Sequence, residues 1–171
     1  EATLERFGAV HANRDVQLRV AAGTVHGIVG ENGAGKSTLM SILYGFYQAD
    51  SGRITVEGQP ARITGSREAI AMGIGMVHQH FMLVEPLSAL DNIMLGAEPD
   101  WRLGPARAQV REKLDALMAD TGLQVRLDLA VEDLPVGERQ RLEILKTLYR
   151  GARILILDEP TAVLTPHETE A

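Results

Sequence analysis

The run Gly30-Glu31-Asn32-Gly33-Ala34-Gly35-Lys36-Ser37-Thr38 constrains this chain more than any other stretch, because it fits the phosphate-binding loop pattern G-x-x-x-x-G-K-[ST]. Val25-His26-Gly27-Ile28-Val29 before it reads as a short buried strand, and Leu39-Met40-Ser41-Ile42-Leu43 after it as a helix, which is the context the pattern requires. Glycines let such a loop turn tightly and point successive N–H groups inward, so the loop and the helix N-terminus converge on a di- or triphosphate. Lys36 adds a full positive charge near the β and γ phosphates, and the Ser37 hydroxyl is suited to ligate Mg²⁺. An accidental glycine-rich turn is the alternative. At ordinary residue frequencies the pattern arises by chance in a chain this long on the order of 1% of the time.

Composition narrows the remaining choices. The 171 residues are enough to bury a core and correspond to one domain. A net charge of −6 argues against a dedicated nucleic-acid binder, which needs a basic face, although a local patch is compatible with it. Without cysteine there is no disulfide framework and no thiolate metal site. No apolar run approaches the roughly 18 residues that span a bilayer, and no secretory signal opens the chain. Because it begins at Glu1 rather than methionine, the sequence reads as a trimmed piece.

Taken in order, Leu4 to Val10 reads as a first strand in which Phe7 is either a core aromatic or a base-stacking platform. Val16-Gln17-Leu18-Arg19-Val20 alternates and predicts a half-exposed antiparallel strand. Asp50-Ser51-Gly52 and Gly58-Gln59-Pro60 are turn signals bracketing a strand at Ile54 to Val56. A small antiparallel layer is thus interleaved with the loop's own strand and helix. Ser66 to Met72 predicts a helix and Ile74 to Val77 a buried strand ending at His78-Gln79-His80, where the histidines lack further metal ligands. Gln79, at a strand end, can reach a Mg²⁺ ion or its water.

Ser88-Ala89-Leu90-Asp91 looks like a capping box opening a helix over Leu90 to Leu95. A longer helix is predicted from Pro105, with Val110, Leu114, Leu117 and Met118 on one face and Gly122 as its stop. Residues 81–150 read as a helical insert. Within it, Leu134-Pro135-Val136-Gly137-Glu138 leads into a helix with Leu142, Leu145, Leu148 and Tyr149 on its apolar side. Ile154-Leu155-Ile156-Leu157-Asp158-Glu159 is a continuous apolar strand ending in two acids, which are costly there unless they meet a cation or water. Asp158 is then the expected partner of Ser37 at Mg²⁺, and Glu159 a candidate to hold an attacking water.

Together these stretches resemble, in order, the nucleotide-binding subunits of ABC transporters. Residues 30–38 are similar to the Walker A motif, Gln79 falls at the Q-loop, Leu134 to Glu138 resembles the signature usually written LSGGQ, and Ile154 to Glu159 resembles Walker B with its following glutamate. Phe7 falls where the family keeps an adenine-stacking aromatic. The wording of His78-Gln79-His80-Phe81-Met82, of Glu143-Ile144-Leu145-Lys146 and of Glu159 to Pro166 resembles the branch importing simple sugars or nucleosides, nucleoside importers most closely.

That resemblance implies an α/β fold: a P-loop NTPase (RecA-like) core with an N-terminal antiparallel β layer and a helical insert. It implies one domain over 1–171, and ATP and Mg²⁺ as ligands. A head-to-tail dimer with a second such domain follows, homomeric or in tandem, with Gly137 donating to the opposing γ-phosphate. Membrane-spanning permease subunits are the expected further partners, on the cytoplasmic face of the membrane. Phe81, Met82 and Leu83 are expected either in the groove those subunits enter or in the domain's own core. Lys36 and Glu159 are the expected catalytic residues, with Ser37, Gln79 and Asp158 at the metal.

Three departures accompany it. Pro135 stands in place of the signature serine, removing a hydroxyl and an N–H; Thr165 stands about where an aspartate is common. The chain ends at Ala171, short of the family's switch histidine, so a C-terminally incomplete domain is expected, able to bind nucleotide but poor in turnover. His167 is too close to Glu159 to be that histidine and is expected at the surface. A soluble ABC-type ATPase working on ribosomes or DNA shares every nucleotide motif, a regulator without hydrolysis would account for Pro135, and a small-molecule kinase shares the loop alone.

Overall fold

The computed structural model describes residues 3–7, 10–95 and 103–158. Contacts divide the chain into two units, Glu1–Ile74 and Gly75–Ala171. In the first, β1 (Thr3–Phe7) lies between β2 (Val10–Val16) and β3 (Ser51–Gly52), antiparallel to both. This is the expected antiparallel layer, but its second strand lies earlier than alternation predicted. β2 ends at Val16, and residues 17–20 join no strand.

The turn signal after Val56 also resolves differently. β4 (Ile54–Val56) and β5 (Gln59–Ala61) form a hairpin in which Val56 faces Gln59 across Glu57 and Gly58. Both turn residues have positive φ, 51° and 78°, the mirror-image turn whose twist matches that of the flanking strands. Gln59 and Pro60 therefore belong to a strand. Proline is tolerated there because a two-stranded ribbon has only edge strands.

α1 (Lys36–Tyr44) buries Leu39 and Ile42 and contacts α2 (Ser66–Ala71), which buries Ala69. Gly45 ends α1 at φ 85°, and a Cβ there would stand 2.5 Å from the Gly65 carbonyl carbon. Both the left-handed backbone and the close approach require glycine.

In the second unit β6 (Ile74–Val77), which opens at the boundary, pairs with β7 (Ile154–Leu157). Every residue of β6 is buried, whereas in β7 only Ile156 is. The continuous apolar strand expected here therefore forms over 154–157, with its side chains exposed apart from Ile156.

α3 (Ala89–Met94), α4 (Leu103–Thr121) and α5 (Val136–Tyr149) enclose the principal core. Leu90 and Ile93, Val110, Leu114 and Met118, and Leu142 and Leu145 meet there, at the spacings that put each set on one helical face. Ser88 caps α3, its Oγ accepting the Asp91 N–H at 3.1 Å. α4 starts before Pro105, at Leu103; proline in the first turn lacks only an N–H that has no intrahelical partner anyway. Gly122, at φ 75°, closes α4 by donating its N–H to the Met118 carbonyl at 2.9 Å.

Candidate nucleotide site and family

The loop that defines the sequence lies in the first unit and is built from the backbone upward. Gly33 and Gly35 have φ of 83° and 85°, and Ala34 donates its N–H to the Glu31 carbonyl at 3.2 Å, closing a turn. Gly35 is the N-cap of α1 and supplies no side-chain acceptor. The N-cap position therefore places no side-chain oxygen over the helix start, which suits an anion. Lys36, the first helical residue, turns its ammonium back into the loop, donating to the carbonyls of Gly30 at 2.6 Å and Glu31 at 2.9 Å. Glu31, Asn32, Gly33, Ala34 and Ser37 are exposed, while Gly35, Lys36 and Thr38 are half-buried. A helix start open at its N-cap, left-handed glycines and a lysine held inside the turn fit a polyphosphate.

One expectation fails here. Val25 to Val29 do not form a buried strand: no ladder joins residues 24–30 among the described residues, and Val25 and Val29 are fully exposed, with Ile28 at 38%. An apolar run becomes a strand only through a partner's main chain, and its own composition does not supply one.

In the second unit, the Asp158 N–H donates to the Val77 carbonyl at 3.0 Å, so β6 and β7 finish side by side. Asp158 is the first residue after β7 and Gln79 the second after β6. The side chains of Gln79 and Asp158, like the Ser37 hydroxyl of the first unit, offer oxygen donors of the kind Mg²⁺ prefers over soft-ligand sites. No group of three or more histidine, cysteine, aspartate or glutamate side chains among the described residues could hold a metal by itself. Glu159 lies outside the described residues, as do Thr165 and His167. Phe7 ends β1 opposite Val10, and its ring is likewise outside what is described.

The signature-like stretch is held rigidly by charged side chains. Pro135 is the N-cap of α5, and its carbonyl accepts the N–H groups of Glu138 and Arg139, both at 3.0 Å. Leu134 and Gly137 are buried, leaving Pro135 and Val136 as the exposed residues of the helix start. Arg139 donates to the carbonyls of Leu134 at 2.9 Å and Glu132 at 2.8 Å. Glu138, in the place of the signature glutamine, instead forms a two-armed ion pair with Arg126 at 2.8 Å and accepts the Arg126 main-chain N–H. Burial pushes the Glu138 carboxyl up, but the hydrogen bonds and charge of Arg126, helped by the charge of Arg141, outweigh it and hold the group below the usual range. Arg126 is correspondingly raised by its hydrogen bond to Glu138. Sequence reading missed this pair, whose partners are twelve residues apart, one in the loop after α4 and one on α5.

Comparison with known proteins agrees with the motif order. The family model described as ABC transporter matches residues 13–162. The chain is 49% identical over 162 residues to the guanosine import ATP-binding protein NupO of Bacillus subtilis, covering 95% of this chain and 32% of that protein. It is 48% identical over 164 residues to the nucleoside import ATP-binding protein NupA of Lactococcus lactis, covering 96% and 32%. It is 48% identical over 165 residues to a ribose import ATP-binding protein, RbsA 1, of Burkholderia thailandensis, covering 96% and 33%. The chain thus spans about a third of the length of these relatives. Among solved structures, cbiO1 from Clostridium perfringens, part of the ABC transporter complex cbiONQ, superposes with a TM-score of 0.82 at 28% identity, covering 99% of this chain and 68% of that one. A nucleotide-free ATP-binding cassette from an ABC transporter gives 0.81 at 25% identity, covering 99% and 71%. The chain belongs to the ABC transporter family and has the P-loop NTPase fold of its nucleotide-binding domains.

Proposed function

We propose that this chain is a nucleotide-binding domain, residues 1–171 with a helical and signature subdomain at 81–150, in a protein that energises import of a nucleoside or simple sugar by hydrolysing ATP. The observation that carries the reading is the Gly30–Thr38 loop, where a helix start open at its N-cap and an inward-held Lys36 make an anion site. The names of the relatives, which speak of guanosine, nucleoside and ribose import, support the cargo class.

On this reading the loop N–H groups and Lys36 bind the β and γ phosphates and stabilise the charge that spreads over the γ-phosphoryl oxygens as its bond to ADP breaks. Lys36 then exchanges its loop carbonyls for phosphate oxygens. Phe7 stacks on the base. Ser37, Gln79 and Asp158 would hold Mg²⁺, which when bound neutralises phosphate charge. Glu159 orients the attacking water and accepts its proton. The helix start at Gly137 faces the nucleotide of a second such domain in a head-to-tail dimer, and membrane-spanning permease subunits carry the cargo across the bilayer at whose cytoplasmic face the domain sits. No helix among the described residues is long and apolar enough to cross a membrane.

The test is nucleotide titration of the full-length protein by calorimetry. Lys36→Ala should weaken ATP binding by roughly 10- to 100-fold, the range for losing a hydrogen bond to a charged group, with the thermal unfolding profile retained. Unchanged affinity in that variant would mean the loop is not the site.

A further inference from the structure

The two stretches whose wording resembled the sugar and nucleoside branch, His78–Met82 and Glu143–Lys146, are bonded to each other. Glu143 and Lys146 stand three residues apart on α5, so their side chains share a face. Glu143 Oε1 accepts the Met82 N–H at 2.7 Å, and Lys146 Nζ donates to the Met82 carbonyl at 2.8 Å. Both main-chain groups of one residue are thus gripped by one helix.

The surroundings set this apart from an ordinary loop anchor. Glu143 is only 5% exposed, a costly place for a carboxylate, yet it serves a main-chain N–H. Met82 is 65% exposed, so burial of its own apolar side chain does not hold it in place. Two residues on, Asn92, fully buried, accepts the Val84 N–H at 2.7 Å and donates to the Val84 carbonyl at 3.0 Å, while Val84 is itself 41% exposed. Met82 and Val84 are thus held through their main chain, while Leu83 between them packs its side chain against the core. Hydrogen bonds with fixed geometry on both sides of a residue set its position more sharply than apolar contact does.

α5 begins at Val136-Gly137, and Met82 lies three residues after Gln79. We propose that Glu143 and Lys146 are positioning residues that fasten the segment following Gln79 to the helix that begins at the signature, so that displacement of either end at the nucleotide is carried to the other as one body. The proposal rests on the import reading above. Coupling then depends on the Met82 clamp, whereas nucleotide binding does not. Neither side chain belongs to the loop or to the metal donor set.

The experiment uses the full-length protein, alone and assembled with its membrane partner in lipid nanodiscs, and measures MgATP turnover in both states. Lys146→Met keeps the aliphatic stem and removes the donor; Glu143→Ala removes the acceptor, and Lys146→Arg and Glu143→Gln restore each in turn. Partner-stimulated turnover should fall roughly 5- to 100-fold in the first two variants, the usual span of a coupling energy, with basal turnover within about twofold of wild type. The two conservative variants should recover most of the stimulation. If Glu143→Ala does not fold, Lys146→Met and Lys146→Arg carry the test, since Lys146 is only half-buried. Full stimulation in Lys146→Met, or an equal fall in basal and stimulated turnover, overturns the clamp while leaving the import reading intact. A wild-type protein that no membrane partner stimulates overturns the import reading and the clamp together.

Discussion

Asp158 donates its main-chain N–H to the carbonyl of Val77 at 3.0 Å, which brings the ends of β7 and β6 together and sends Asp158 and Gln79 off the same edge of the ribbon. Two oxygen donors of unequal strength thus start from neighbouring backbone. Charge count tunes the affinity of an oxygen site for a hard cation, so the aspartate should matter more than the amide. Asp158→Asn should reduce Mg²⁺-supported ATP affinity about tenfold or more, and Gln79→Ala about two- to tenfold, by the difference between charged and neutral interactions. Titrations with and without Mg²⁺ measure both, and a larger loss in Gln79→Ala would reverse the assignment.

Asn92 is the buried polar centre of the second unit. Besides Val84, its Nδ2 donates to the carbonyls of Leu87 at 3.3 Å and Ser88 at 3.1 Å. Asn92→Leu leaves the Val84 N–H without its acceptor, whereas the carbonyls of Val84, Leu87 and Ser88 keep the main-chain donors of Leu87, Val131 and residue 92. The cost should be about 1–3 kcal/mol in urea unfolding, the range for leaving one polar group unsatisfied. A loss below about 0.5 kcal/mol, typical of surface changes, would mean that water replaces the amide.

Glu138 makes stability depend on acid pH. Its folded-state pKa lies below the ordinary carboxylate value, because Arg126 and Arg141 outweigh the effect of burial. The unfolded state therefore takes up its proton first as pH falls. The contribution is present above the unfolded carboxylate pKa and disappears as pH drops through the lower folded value. Unfolding free energies of wild type and Glu138→Gln should differ at neutral pH and converge as the medium is acidified through the carboxylate range. A gap that widened toward acid would contradict the sign.

Gly75 is fixed by contact rather than by its backbone angle. A Cβ there would lie 2.1 Å from Thr147 Cγ2 and 2.8 Å from Ala152 Cβ, so β6 approaches α5 at the distance glycine allows. Gly75→Ala should destabilise by about 1–3 kcal/mol, as overpacking does, and Thr147→Ser in the same chain should recover part of that by removing the clashing methyl. Additive losses in thermal melts of the double variant would rule out this contact as the cause.

Local signals and non-local ones parted company along this chain. Ser88 with Asp91, and Val110, Leu114 and Met118, could be read directly because caps and helical faces involve residues within a few positions of each other. The loop at Gly30–Thr38 was legible for the same reason, since glycine dihedrals and a helix start are properties of adjacent residues. Val25–Val29 misled because apolar composition does not name a strand partner. Pro60 hid β5, its residue type signalling a turn while its place in a two-stranded ribbon tolerated it. The Met82 clamp and the Arg126–Glu138 pair were invisible as contacts, because each joins elements whose proximity the folded chain alone creates.

The proposed function rests on Ser37 and Asp158 serving one Mg²⁺ on one triphosphate. A double-mutant cycle on the full-length protein tests it most directly, with Mg²⁺-dependent ATP affinity measured calorimetrically for Ser37→Ala, Asp158→Ala and the pair. Shared coordination predicts that the second substitution costs little once the first is made, with a coupling of about 0.5–3 kcal/mol. Losses that simply add, within about 0.5 kcal/mol, would contradict it.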